Sequence, residues 1–203
     1  MKLFRPVWIS GWLYPEALFR LNTRDKILCL TFDDGPDPES TGKILEILEK
    51  HIIKAVFFCN GRAAEMYPDL VERIKQKGHI IGNHGYNHLN GWTTSAKLYC
   101  NDVNHASRFT SGKLFRPPYG FLRLNQYLIL HRSFKIVFWD LMPYDFDKTV
   151  GAVRSLEILK NGIRPGSIIV LHDNRYSASL FFLDEFLDRT IKAGYSFSYT
   201  ELE

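Results

Sequence analysis

Two periods of hydrophobicity alternate along this chain, and the switch between them recurs from end to end. Residues 26–30 form a short apolar run of strand length, Lys26-Ile27-Leu28-Cys29-Leu30. From residue 40 the spacing becomes helical. Ile44, Leu45, Ile47, Leu48 and Ile52 fall on one face, with Ser40 or Thr41 placed to cap it. Ala55-Val56-Phe57-Phe58-Cys59 is apolar throughout, as in a strand covered on both faces, and Asn60-Gly61 breaks it. A helix over 68–77 ends at Gly78, and Ile80-Ile81-Gly82-Asn83 is a strand that delivers His84. The same reading predicts helices near 95–108, 121–131, 150–160 and 180–191. It predicts strands at Leu114-Phe115 and over 134–139, 167–171 and 195–198.

Strand alternating with helix implies a parallel sheet with helical cover, either an open doubly wound sheet or a (β/α) barrel. About seven strands in 203 residues fall short of the ~250 residues of a full barrel. Polar residues decide between the two. Asp33, His84, Arg116, Asp145 and His172 all lie in or just after loops at carboxyl ends of strands. A barrel gathers those ends at one mouth, whereas an open sheet spreads them. The expected fold is therefore α/β, a distorted or incomplete (β/α) barrel of about seven parallel strands. Residues 26–203 form the domain, and residues 1–25 an N-terminal arm packed on it.

Composition narrows the function classes. Hydrophobic residues make up 45% of the chain, enough for one full core, and 15 Phe, 10 Tyr and 4 Trp allow an aromatic-lined groove as well. The net charge of +4 is scattered rather than clustered, so no nucleic-acid partner is expected. Cys29, Cys59 and Cys100 are odd in number and lack metal-type spacing. No stretch approaches the ~20 apolar residues of a spanning helix. The first residues, interrupted by prolines, read as an ordered arm rather than an export signal, which favours a cytoplasmic location.

Chemistry concentrates in Leu30-Thr31-Phe32-Asp33-Asp34-Gly35-Pro36, where a buried strand empties into a turn. Side chains alternate along a strand, so the adjacent carboxylates start out in different directions. Two such acids can divide the labour, one holding a cation while the other handles protons. Alone, the stretch is equally an Asp-Gly-Pro turn. His84-Gly85-Tyr86-Asn87-His88 sets two imidazoles four residues apart, able to face one point from a helical turn or a compact loop. With Asp34 they make a His₂Asp set suited to zinc or another divalent first-row ion.

Four motifs in order, Thr31-Phe32-Asp33-Asp34-Gly35-Pro36, His84 with His88, Arg116-Pro117-Pro118-Tyr119-Gly120 and Val170-Leu171-His172-Asp173, resemble those of the polysaccharide deacetylases. That family is the nodulation-protein-B homology group, carbohydrate esterase family four. The resemblance spans residues 26–197 and makes residues 26–203 a deacetylase domain. It implies one divalent ion, zinc first with cobalt or nickel able to substitute, held by Asp34, His84 and His88. It implies Asp33 as general base, oriented by Arg116, and His172 as general acid, paired with Asp145. The Tyr119 N–H would stabilise the oxyanion, Pro117 belongs to the same motif, Leu171 would line an acetyl-methyl pocket, and Phe146 a groove wall. The implied substrate is an N-acetylated oligo- or polysaccharide.

The chain departs from the family pattern at three places. Gly85 stands where Ser or Thr is usual, Met142 where an acid is common, and Phe146 where Trp is usual. These bear on loop bracing and substrate choice rather than on the ligands. Trp92 and Tyr144 are candidates for a sugar groove or for packing, Trp139 for the core, and Asp173 for ordering a strand end. His51, His79, His105 and His131 lie outside the motifs and read as structural. The competing functions are an O-acetyl esterase or other small-amide hydrolase on the same site, and a carbohydrate-binding protein without turnover.

Overall fold

A computed structural model describes residues 13–110 and 112–200; the first half of the expected N-terminal arm, residues 1–12, lies outside the described residues. Seven strands appear: β1 Ile27–Asp33, β2 Val56–Cys59, β3 Ile80–Asn83, β4 Leu114–Phe115, β5 Lys135–Ile136, β6 Ile168–His172 and β7 Ser196–Phe197. Seven α-helices are described with them: α1 Thr41–Lys50, α2 Gly61–Met66, α3 Pro68–Gln76, α4 Ala96–Thr110, α5 Leu124–Leu130, α6 Gly151–Gly162 and α7 Ser179–Lys192. The strand order is β5-β4-β3-β2-β1-β6, every pair parallel, with β7 also pairing with β1. This is the expected distorted barrel.

The sheet does not close by a direct β5–β6 pairing. A crossing segment lies in the seam instead. The Leu18 N–H donates to the Ile136 carbonyl at 2.9 Å, the Leu18 carbonyl accepts from Phe138 at 2.7 Å, and Leu21 N–H reaches Gly166 at 2.8 Å. Leu141 completes the join, its N–H on the Ile168 carbonyl and its own carbonyl receiving the Val170 N–H, both at 3.1 Å. These bonds satisfy edges that would otherwise stay unpaired. They also explain why the predicted strand over 134–139 is short: Val137 N–H still reaches Phe115 of β4, but the Ile136 carbonyl and the Phe138 N–H bond to Leu18.

Period-two alternation sorts the core into layers. Leu28, Leu30 and Phe32 of β1 face outward with Phe57, Ile169 and Leu171, under the apolar faces of α1 and α7, where Ile44, Leu48, Leu183 and Phe186 are buried. Cys29 faces inward with Val56, Phe58, Leu114, Val137 and Ile168, and Leu21 of the seam joins them. Asp33 and His172 share the inward parity of Cys29 and Ile168, which aims both at the mouth. A third cluster packs α4 and α5 on β4 and β5 through Tyr99, Val103, Tyr127, Phe115 and Ile136. All three cysteines are buried and free.

Expectations change at two helix starts. Ser40 makes no capping bond to α1; its hydroxyl and that of Thr41 donate to Asp173 instead. Asn60-Gly61 does not merely break β2: the Asn60 side chain accepts from the N–H groups of Arg62 and Ala63 and so caps α2, a helix of six residues. Among the described residues, no helix is long and apolar enough to cross a membrane.

Candidate functional site

At the carboxyl ends of the strands lies a cleft of about 630 Å³. Asp33, Asp34, His84, His88, Pro117, Tyr119, Phe146 and His172 all line it. Asp33 is the last residue of β1, opposite Phe58 of β2 and His172 of β6. Asp34 follows with φ of 78°, a left-handed backbone that breaks the strand alternation, so that both carboxylates come within 4 Å of His84 Nε2.

Asp34 Oδ1 lies 3.3 Å from His88 Nε2 and 3.7 Å from His84 Nε2. The three donor atoms fit within 4.8 Å of one another. Ligands of a tetrahedral ion at zinc distances stand roughly 3.4 Å apart, so the spacing suits a divalent metal. His84 and Asp34 are held in the forms that bind a metal. His84 Nδ1–H donates to the Arg116 carbonyl at 2.8 Å, which leaves Nε2 as the lone-pair atom. Burial pushes the His84 imidazole down to about 4, so it is neutral at pH 7. Burial acts on Asp34 in the opposite sense to its neighbours. The His88 hydrogen bond and the charge of His172 outweigh it and hold the carboxyl below the usual range. The compact-loop alternative for His84 and His88 is the one observed, since residues 84–90 are not helical.

Arg116 is fully buried and uses its donors on β1 and on the segment that follows β5. One terminal nitrogen reaches Asp33 Oδ1 at 2.7 Å and Thr31 Oγ1 at 2.6 Å, the other the Phe138 carbonyl at 2.9 Å, and Nε the Val137 carbonyl at 3.2 Å. Its guanidinium also lies 4.1 Å from the centre of the Phe58 ring. With Oδ1 of Asp33 tied, Oδ2 stands 3.9 Å from His84 Nε2, beside the triad.

His172 is held by Asp145 at two points. The backbone N–H donates to Oδ2 at 2.8 Å and the ring Nδ1–H to Oδ1 at 2.9 Å. Ser177 Oγ donates to the same carboxylate at 2.7 Å. Burial alone would lower the pKa of His172, but the Asp145 charge and hydrogen bond carry it up to about 9. Nε2 is thus the ring nitrogen left for the cleft. Phe146 packs edge-on against the imidazole at 4.6 Å.

Tyr119 has φ of 60° in the turn Pro118–Gly120, and its ring lies edge-on to His88 at 4.5 Å. His88, at φ 55°, and Tyr144, at φ 60°, are also left-handed. Such conformations cost about 1–3 kcal/mol each outside glycine, and four of the five in the described chain border this cleft. The fifth is Ile52.

Leu171 is the exception among the expected site residues. It faces the outer helical layer, fully buried, and the cleft is lined instead by Val170. The cause is strand parity, because the residue two before His172 shares its face and the residue one before does not. Sequence reading also missed several residues. Tyr14 and Phe19 of the arm and Trp139 line the cleft, and nothing in local patterning marks them. The Asn174 amide donates to Asp34 Oδ2 at 3.0 Å across 140 residues of chain. Trp92 stacks on Phe121 at 4.0 Å and 10°, and both line the cleft. The four histidines outside the motifs do not line it. His79, for example, accepts the Ala55 N–H.

Comparison with known proteins gives concordant matches. A family model described as polysaccharide deacetylase matches residues 20–131. A peptidoglycan-N-acetylglucosamine deacetylase of Bacillus cereus is 32% identical over 206 residues, covering 97% of this chain and 93% of that protein. Another of the same name and organism is 38% identical over 152 residues; the match spans 71% of this chain and 55% of that longer protein. Among solved structures, that of the Bc1960 peptidoglycan N-acetylglucosamine deacetylase superposes with a TM-score of 0.85 at 33% identity, covering 94% of each chain.

Proposed function

The chain belongs to the polysaccharide deacetylase family, and on that premise we propose that it is a metal-dependent hydrolase removing N-acetyl groups from amino-sugar oligomers or polymers of the peptidoglycan or chitooligosaccharide kind. The observation that carries this reading is the meeting, in one cleft, of three components. These are the Asp34–His84–His88 donor set, the Arg116-held carboxylate of Asp33 and the Asp145-held imidazole of His172.

Hydrolysis of an N-acetyl group breaks the C–N bond, forms a C–O bond to water and must put a proton on the departing nitrogen. A divalent ion bound by Asp34, His84 and His88, zinc by donor type with cobalt or nickel as substitutes, would activate water and polarise the acetyl carbonyl. Asp33 accepts the water's proton at Oδ2, since Arg116 occupies Oδ1. The Tyr119 N–H donates to the oxygen on which negative charge develops. His172 then delivers the proton from Nε2 to the amine, while Asp145 keeps Nδ1–H engaged and the ring cationic until that moment. Val170, which lines the cleft, takes the role expected of Leu171 toward the acetyl methyl. Two aromatic pairs in the lining, Trp92 with Phe121 and Tyr144 with Phe146, suit the apolar faces of pyranose rings.

Acetate release should be measured on chitooligosaccharides, peptidoglycan fragments and O-acetylated xylan. Release from either N-acetylated class supports the proposal. Release from xylan alone would make the protein an esterase, and sugar binding without any release would make it a binding protein.

A further inference from the structure

The loop from His84 to His88 carries two of the three candidate ligands, yet it belongs to no helix or strand. Its backbone must therefore find partners elsewhere. The carbonyls of Gly85 and Tyr86 accept from Gly61 and Arg62 at the start of α2, at 2.8 and 3.4 Å. The N–H groups go the other way, to α4. Gly85 N–H donates to Asn83 Oδ1 at 2.8 Å, and the Asn83 amide in turn donates to the Val103 carbonyl at 2.9 Å. Tyr86 N–H donates to Asp102 Oδ2 at 2.8 Å. Asn87 N–H is shared between both Asp102 oxygens at 3.1 Å, and the Asn87 side-chain amide reaches Oδ1 at 2.6 Å.

Asp102 is 8% exposed, and a buried carboxylate taking three N–H groups forms strong, charge-assisted bonds. Gly85 makes room for it. A Cβ there would come within 3.2 Å of Asp102 Oδ2, and its φ of +73° disfavours any side chain. The loop also holds His88 at φ 55°. An unanchored backbone would relax from such a bend.

We propose that Asp102 is a positioning residue for the metal loop: it clamps the backbone between His84 and His88 and so fixes the spacing of their imidazoles. The inference rests on the metal reading given above. Asp102 touches neither ligand side chain, so its effect is transmitted through residues 86 and 87.

The test compares wild type with Asp102→Asn, Asp102→Ala and, as a control on the exposed side of the same helix, Asn101→Ala. Affinity for Zn²⁺ is measured by chelator competition, and the visible spectrum of the Co²⁺-loaded protein is recorded. Circular dichroism of the metal-free proteins checks the fold. Asp102→Ala should keep its fold, bind Zn²⁺ roughly 10- to 100-fold more weakly and show an altered Co²⁺ spectrum. Asp102→Asn should fall between Ala and wild type, because one amide oxygen can still serve Tyr86. Asn101→Ala should match wild type. A folded Asp102→Ala with affinity within twofold of wild type and an unchanged spectrum overturns the proposal. Should Asp102→Ala fail to fold, Asp102→Asn decides by the same criterion. A wild type that binds neither ion removes the metal reading itself, and the role of Asp102 with it, a result distinct from a wild type that binds while Asp102 proves indifferent.

Discussion

Asp33 and Asp34 are neighbours in sequence with opposite surroundings. Asp33 is 3% exposed and bonded to Arg116, whereas Asp34 turns through a left-handed backbone to meet His84 and His88. Asp33→Asn should therefore keep the metal and lose turnover by about 10²-fold or more, while Asp34→Asn should lose metal affinity first. Metal content and kcat measured on both variants check this, and the reverse pattern would exchange the two roles. His172 gives a pH prediction. With its pKa at about 9, the proton donor is available below that value and lost above it. Asp145→Asn removes the carboxylate charge that most raises it against the lowering effect of burial, so the alkaline limb of kcat/KM should move to lower pH. Activity at pH 8 should then drop with metal content intact. An unmoved limb would detach Asp145 from the proton donor. At this scale the motif residues were legible because each motif is local. Leu171 was misplaced by one step of strand parity. Asn174 and Asp102 escaped notice because each earns its meaning from a partner 140 or 15 residues away.

The elements matter through where they end. All seven strands and six of the seven described helices were legible from apolar runs and 3.6-residue spacing, most ends within a residue or two and a few off by three. The shortness of β5 and the six-residue α2 were not. The strand is curtailed by Leu18, a pairing no local pattern encodes, and the helix is nucleated by an Asn60 cap that also reads as a strand breaker. Arg116 bonds Thr31 and Asp33 of β1 and the carbonyls that follow β5. Its sequence signal was an anchor for Asp33, but the structure gives it a larger structural load. Arg116→Met should strand the Asp33 charge in the interior and cost about 3–5 kcal/mol. Urea unfolding of the metal-free protein measures this; a loss below 1 kcal/mol would reduce Arg116 to a surface-like contact.

For the whole molecule, the barrel was chosen over the open sheet because polar residues followed strand after strand, and that logic survives in the cleft that gathers them. What could not be read was how an incomplete barrel seals its seam. Leu18 and Leu21 lie in a segment with no strand pattern, and Leu21 is 2% exposed inside the barrel. Leu21→Ala should cost about 2–5 kcal/mol, seen as a lower urea midpoint, with little effect on metal affinity. The same segment brings Tyr14 and Phe19 to the cleft, so stability and substrate contact share one stretch of chain. The central claim, hydrolysis at a divalent ion held by Asp34, His84 and His88, is tested most directly by metal titration. The protein is stripped with a chelator, and acetate release from an N-acetylglucosamine oligomer is followed as Zn²⁺ is returned. Release should vanish on stripping, return in proportion to added metal and saturate near one ion per chain, and His88→Ala should fail to recover at the same concentrations. Full acetate release from the rigorously stripped protein would contradict the account.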